Sequence, residues 1–382
     1  MIKSRLLVLG LMFFVPLALP PANCAMAANS SAALTQASLQ VLVSSLQSED
    51  QGDARQSWKR LVDIAKPEDL PLILSGMNDD PLQHNWIRGA ADAVAERELA
   101  NSGTLPKESL EKFVLDDRKH PRARRVAYEW LLKVDETASS RLLPKMLDDV
   151  SLELRYDAIA SLLAEAENSA DGAKLEKYQR AFQSARDKSQ FQQAADALKA
   201  LGQTPDMPRQ LGFLTKWKVV GPFDNLQRKG FNTIHLSAKT VDLDAEYDGK
   251  DGKVTWKGAT AELQEFDSLG TVDFNKAFVE AKSLLGYAHT TFVAAEEQPV
   301  EIRYESKSAT KLWVNGEEVA VKNVYHSGGG FDQYIVPVKL KAGANEILIK
   351  VCQNEQTQPW TKPWEFRLRV TDSQGGAIKS GW

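Results

Sequence analysis

The residues of this sequence with the clearest chemistry lie in a proline-rich loop, residues 358–364. The loop carries two indoles, Trp360 and Trp364, and flat aromatic faces of this kind can stack on sugar rings. With Tyr325 and Gln353 they predict a shallow, polar and aromatic ligand site. Trp364 directly precedes a strand-like run, and burial in a core is the favoured alternative for it. Trp360 is therefore the better candidate for a ligand contact.

No catalytic or metal-binding pattern accompanies this loop. There is no Gly-x-Ser-x-Gly elbow, no phosphate-binding loop and no dinucleotide fingerprint. The histidines lack the spacing of metal ligands. Adjacent carboxylates on one strand point to opposite faces, so they do not form an acid–base pair. Four aspartates that lie close together in sequence fit turns better than a calcium-binding loop. These residues are His84, His120, His235, His289 and His326; Glu296 with Glu297 and Glu317 with Glu318; and Asp242, Asp244, Asp248 and Asp251. The sequence predicts no metal and no cofactor, and it favours a non-catalytic protein.

The pair Asn315-Gly316 organises the C-terminal half of the chain. It stands between two apolar runs, and both residues tolerate the positive φ angles of a two-residue hairpin turn. We therefore assign this pair a structural role in the turn rather than a role in binding.

Apolar and polar residues alternate from about residue 211 onward. Val300, Ile302 and Tyr304 are expected to face inward, and residues 366–370 repeat the rule. Cys352 ends an apolar strand and is expected to be a small core residue rather than a nucleophile. Many short strands separated by turns predict an antiparallel β-sandwich of the jelly-roll type.

Residues from about 34 to 201 have helical periodicity instead. Three turns that contain Asp each precede a helix with an Arg and small residues. Arg88, Arg125 and Arg155 mark these units, 37 and 30 residues apart. The pattern resembles HEAT repeats and implies an N-terminal α-solenoid of helical hairpins, in which Asp caps a helix and Ala lets helices approach. A plain irregular helical bundle is the alternative.

Two prolines mark the end of the helical half, so we expect a helical-repeat domain at 28–205, a linker at 206–210 and a β-sandwich domain at 211–382. Within the last domain, three stretches resemble the β-sandwich modules of secreted bacterial proteins related to galactose-binding-like and PA14-like domains. They are Trp217-Lys-Val-Val-Gly-Pro-Phe-Asp-Asn225, Trp313-Val-Asn-Gly-Glu317 and residues 340–351. The resemblance covers about residues 211 to 375 and implies either glycan binding or a structural role.

Residues 1–27 have the order of a secretory signal peptide. Lys3 and Arg5 precede an apolar run that is short for a membrane span, and Ala25 and Ala27 suit cleavage before residue 28. The sequence thus predicts a periplasmic or secreted protein that does not span a membrane. A lipoprotein anchored at Cys24 is the alternative.

The composition of the chain limits the classes of molecule that it is expected to bind. The chain has 382 residues, 43% of them hydrophobic and 26% charged, with a formal net charge of −4, which argues against a nucleic-acid partner. We therefore expect an exported, non-catalytic binding or scaffold protein that recognises a glycan or a protein at the cell envelope. An accessory component or enzyme of carbohydrate processing and a purely structural envelope protein are the alternatives.

Overall fold

A computed structural model describes residues 37–260 and 269–381. The predicted signal peptide, its cleavage site and Cys24 lie outside the described residues. The chain divides into two compact units, one up to Ala138 and one from Ser139 onward. Each unit is described by itself.

The first unit is helical, as the periodicity predicted. Its longest helix begins after Asp80, whose carboxylate accepts hydrogen bonds from the amides of Leu82 and Gln83 at 3.0 and 2.9 Å. That helix ends at Gly103, which has a φ of 72°. The helices are residues 37–45 (α1), Gln51–Ile64 (α2), Leu70–Leu74 (α3), Pro81–Ser102 (α4), Lys107–Leu115 (α5) and Pro121–Leu132 (α6).

The small residues expected between helices are where close packing needs them. Ala90, Ala91 and Ala127 are fully buried, so neighbouring helices approach without large side chains between them. The expected capping by aspartate is seen at the start of α4. The residue that precedes α6 is His120, whose side chain forms no capping hydrogen bond, so the capping is not repeated at that helix.

The second unit begins with helices that share a core with the start of the β-structure. Apolar side chains of three successive helices cluster with Met207, Leu211, Phe213 and Leu269. The linker predicted at 206–210 therefore falls largely on a short helix, two of whose side chains, Met207 and Leu211, belong to that core. The helices are Ala138–Leu142 (α7), Leu152–Glu167 (α8), Asp171–Ser184 (α9), Lys188–Ala200 (α10), Met207–Leu211 (α11) and Phe274–Ala277 (α12). Separate folding of 28–205 and 211–382 stays a prediction.

Antiparallel sheets make up the rest of the second unit. The strands are Lys216–Asp224 (β1), Glu246–Asp248 (β2), Lys253–Thr255 (β3), Lys257–Thr260 (β4), Val272–Asp273 (β5), Leu284–Ala294 (β6), Gln298–Glu305 (β7), Ala309–Val314 (β8), Glu317–Lys322 (β9), Tyr334–Leu340 (β10), Gly343–Cys352 (β11) and Glu365–Thr371 (β12). One sheet has the order β4-β1-β6-β11-β8-β9, a second has the order β10-β7-β12-β5, and β2 pairs with β3. The long strands β6 and β11 lie at the centre of the larger sheet.

The inward face of β7 follows the predicted alternation. Val300, Ile302 and Tyr304 are at most 3% exposed and pack in a core to which both larger sheets contribute. Between β8 and β9, Asn315 and Gly316 have φ values of 51° and 82°, the left-handed conformation that a tight hairpin turn needs. The register of β8 against β11 pairs Val314 with Ile347 and Ala309 with Cys352, so this turn lies at the end of the sheet opposite the loop that follows β11.

The alternation is wrong for β12. Arg367 and Arg369 were expected to face solvent, but they are 7% and 1% exposed. Arg369 Nε donates to Asp332 at 2.7 Å and its Nη1 donates to the Leu211 carbonyl at 3.0 Å, while Arg367 Nε donates to Glu305 at 2.7 Å. These partners replace water, so the guanidinium groups can be buried.

Candidate functional site

Trp360 is the most exposed large aromatic side chain among the described residues, with 61% of its surface accessible. It lies in a short 3-10 turn, Pro359–Thr361. Its indole meets the ring of His326 edge to face, with centroids 5.5 Å apart and an interplanar angle of 86°. The indole therefore packs against His326 and leaves most of its surface open to solvent.

The loop behind this indole is anchored from within by Gln353. The Gln353 side chain is fully buried, and its Nε2 donates to the carbonyls of Thr361 and Lys362 at 3.1 and 3.2 Å. The Thr361 hydroxyl in turn donates to the Gln356 carbonyl at 2.9 Å. Gln353 thus positions the loop, and it lies inside the protein rather than on the surface that a ligand would touch.

Trp364 lies in the core. It is fully buried, its Nε1 donates to the Val351 carbonyl at 3.1 Å, and its ring contacts Phe274 and Phe278 at centroid distances of 5.3 and 5.8 Å. This is the alternative that the sequence favoured for Trp364. The two indoles of the loop therefore do not form one site.

Tyr325 is the predicted residue that is connected to Trp360, through His326. Its ring is 6.5 Å from the His326 ring, and the Arg228 guanidinium carbon is 5.2 Å from the Tyr325 ring centroid. Arg228 Nη2 also donates to Glu355 Oε1 at 2.7 Å. These contacts join Trp360, His326, Tyr325, Arg228 and Glu355 into a continuous strip, which we call the Trp360 row.

The backbone around Arg228 has an unusual conformation. Gln227 and Arg228 have φ values of 54° and 62°, and His326 has a φ of 57°. Left-handed conformations are uncommon in residues other than glycine, and they concentrate at functional sites. Leu226, Gln227, Arg228 and Glu355 line an open depression of about 490 Å³ beside the row.

At neutral pH the Trp360 row contains one ion pair, Arg228 with Glu355, and one neutral phenol, Tyr325. The hydrogen bond from Arg228 lowers the pKa of Glu355 and raises the pKa of Arg228, so both groups are charged at neutral pH. Burial raises the pKa of Tyr325 to about 12, and its hydroxyl accepts a hydrogen bond from Asn225 Nδ2 at 3.4 Å. The row therefore offers donors and acceptors next to an apolar indole.

Sequence reasoning missed His326, Arg228 and Glu355. His326 follows Tyr325 directly, which is a signal that could have been used. Arg228 and Glu355 are 127 residues apart and meet because the loop after β1 and the loop after β11 lie at the same end of the sheet. No spacing rule connects two such positions.

Over residues 37–260 and 269–381, no group of three or more His, Cys, Asp or Glu side chains is placed to hold a metal ion. Among these same residues, no helix combines the length and apolar character that crossing a membrane requires.

No protein-family model matches the chain, and no curated protein matches it significantly. Two solved structures of a β-glucosidase from Kluyveromyces marxianus are similar to part of it. The selenomethionine-labelled structure is 9% identical with a TM-score of 0.25, and the structure in complex with glucose is 8% identical with a TM-score of 0.22. Each covers 41% of this chain, and the chain covers 16% of the β-glucosidase. At these TM-scores the likeness carries no argument.

Proposed function

We propose that this protein is an exported, non-catalytic binding protein that recognises a glycan through the Trp360 row. The observation that carries the proposal is the exposed indole of Trp360 next to a continuous strip of aromatic and charged side chains. A sugar ring has an apolar face of C–H groups and a rim of hydroxyls. The indole can stack on the apolar face of one sugar ring, and the Arg228–Glu355 pair can form hydrogen bonds with hydroxyls elsewhere on the same glycan.

The small contribution of the Arg228–Glu355 ion pair to stability favours a role of both groups in binding sugar hydroxyls. Arg228 and Glu355 side chains are 48% and 51% exposed, and an ion pair at such a surface contributes roughly 0–1 kcal/mol to stability. Sugar hydroxyls can therefore share these donors and acceptors at a small energetic cost. Because Gln353 anchors the loop that carries Trp360, little backbone entropy is lost when a sugar ring stacks on the indole.

The remaining parts of the proposal follow from the sequence. The first helices form a HEAT-like α-solenoid that acts as a scaffold, and the β-structure is a galactose-binding-like jelly roll. Residues 1–27 direct export to the periplasm or the medium, with lipidation at Cys24 as the alternative. A protein partner at the envelope is the other occupant of the row that the sequence leaves open.

A glycan array probed with the protein, followed by calorimetric titration of the bound glycans, tests the proposal. Trp360→Ala is expected to lower affinity at least about tenfold, which corresponds to ~1.4 kcal/mol, because the stacking surface is removed. Tyr156→Ala is the matched control, since Tyr156 is an exposed aromatic residue, 44% accessible, that is not part of the row.

Two results would contradict the proposal. One is an array on which the folded protein retains no glycan. The other is a bound glycan whose affinity falls equally in Trp360→Ala and Tyr156→Ala, because a loss shared by both variants is not specific to the row.

A further inference from the structure

The outer face of the larger sheet is covered by the chain segment that follows β1. Apolar side chains of β1, β6, β8 and β11 that point away from the main core pack against Phe231, Leu236 and Trp256 from this segment. A second, smaller core results. One part of this interface is not filled by side chains.

Lys350 fixes the covering segment to the sheet. It is 1% exposed, and its Nζ donates to the carbonyls of Gly230, Phe231 and Thr233 at 2.5, 2.9 and 2.9 Å. Burial lowers the pKa of Lys350 to about 8, which keeps the ammonium charged at pH 7. All three of its donors are used, so Lys350 contributes positive charge to its surroundings but no free hydrogen bond.

Next to Lys350 lies a cavity of about 230 Å³. Its walls include Trp313 and Leu348 from the sheet, and Ile234, which is 85% exposed, stands at its rim on the covering segment. The cavity is smaller than the usual pocket for a drug-sized ligand, which has a volume of roughly 300–1,000 Å³. Only a small molecule fits.

The charge balance of the cavity is positive. Lys311 Nζ lies 3.5 Å from a carboxylate oxygen of Glu318 and 5.1 Å from the centroid of the Phe231 ring. The Lys311 side chain is 17% exposed, whereas that of Glu318 is 42% exposed. Lys311 and Lys350 together place two ammonium groups at the cavity against the single carboxylate of Glu318. The Glu318 carboxylate is partly exposed to solvent, and its 3.5 Å contact with Lys311 is long for an ion pair.

We propose that this cavity binds a small organic carboxylate with an apolar or aromatic body. The ligand carboxylate takes the place of Glu318 on the Lys311 ammonium, and the body of the ligand packs against Trp313 and Leu348. The excess of positive charge disfavours a cationic ligand, and the apolar walls disfavour a fully hydrated inorganic anion. No residue of the Trp360 row lines this cavity, so the inference does not depend on glycan binding.

Ligand-observed NMR and calorimetric titration of the full chain with benzoate, benzamide and benzylamine test the assignment, and cyclohexanecarboxylate with its carboxamide serves as a second pair. The carboxylates are expected to bind and the amides and amine to bind at least about tenfold more weakly. Lys311→Met removes the ammonium group and leaves an unbranched apolar side chain of similar length, and it is expected to lower carboxylate affinity about tenfold. Lys339→Met is the matched control, because Lys339 is an exposed lysine on β10 that pairs with Glu297.

A second variant separates loss of the site from loss of the fold. Ala238→Phe places a ring in the cavity and is expected to abolish carboxylate binding while the melting temperature stays within a few degrees of wild type. The assignment is overturned if no carboxylate binds, if an amide or the amine binds as well as its carboxylate, or if Lys311→Met and Lys339→Met weaken binding equally.

Discussion

Trp364 and Trp360 lie four positions apart on one loop and should respond in opposite ways to truncation. Trp364 is fully buried among aromatic rings and donates a hydrogen bond to the Val351 carbonyl, whereas Trp360 is 61% exposed. Replacing a buried Trp with Ala costs about 3–5 kcal/mol, because transfer energy is lost and a cavity remains. For a unit of ~150–250 residues, each kcal/mol shifts the melting temperature by about 2–4 °C, so Trp364→Ala should melt about 10 °C lower. Trp360→Ala should stay within ~0.5 kcal/mol of wild type.

Urea unfolding followed by circular dichroism measures both effects on the full chain, with equal m-values required for the comparison. The transition assigned to the second unit is the one to compare. If Trp364→Ala unfolds at the wild-type urea concentration, the aromatic cluster does not stabilise this unit. If Trp360→Ala loses several kcal/mol, Trp360 is a core residue, and the Trp360 row loses its central contact.

Three further predictions concern the turn, the buried thiol and the division of the chain. Gly316→Val should destabilise the protein by about 2 kcal/mol or more in urea unfolding, because the φ of 82° strains a β-branched residue and its Cβ would stand 2.9 Å from a backbone carbon; Gly328→Val, in open space, should have little effect. Burial raises the pKa of Cys352 from 9.0 to about 12, so the neutral thiol stabilises the fold below pH 9 and this contribution is lost as pH rises. Between pH 8 and pH 10, wild type should therefore lose about 1.4 kcal/mol relative to Cys352→Ala, and parallel pH profiles would contradict this. Residues 139–382 should unfold cooperatively when expressed alone, whereas 211–382 should melt earlier because the helical core is cut; equal melting of the two fragments would instead support the linker predicted at 206–210.

Local patterns in the sequence predicted the elements of the fold well. Helical periodicity gave the helices up to residue 200, and alternation gave the inward face of β7 at Val300, Ile302 and Tyr304. These features depend on neighbours in sequence, so the pattern alone contains them. The candidate site depends instead on residues that are far apart in sequence. Arg228 and Glu355 meet across 127 residues, and the contact exists only because two loops leave the same end of a sheet.

The main error of the sequence-based prediction was to expect solvent exposure for charged residues that are buried, and this error has one physical cause. Alternation assigns the residue between two core positions to solvent, which holds only where nothing covers the other face of the sheet. On β12, Arg369 is covered and is satisfied by Asp332 and by the Leu211 carbonyl. The polar partner comes from a distant loop or helix, and the sequence around Arg369 does not show it.

The covering of both faces of a sheet also explains the burial pattern of β11, a central strand of the larger sheet. All six residues from Ile347 to Cys352 are buried, although an antiparallel sheet with one wet face would expose every second one. Alternate side chains of this run enter two different cores, one shared with the other sheet and one shared with the segment after β1. A lysine on such a strand can stay charged only if carbonyl oxygens replace its water, and Lys350 finds three of them in the covering segment. The covering segment is therefore a third layer of the fold, held by a polar contact, and the unfilled space beneath it is where a small anion gains both charge complementarity and apolar contact.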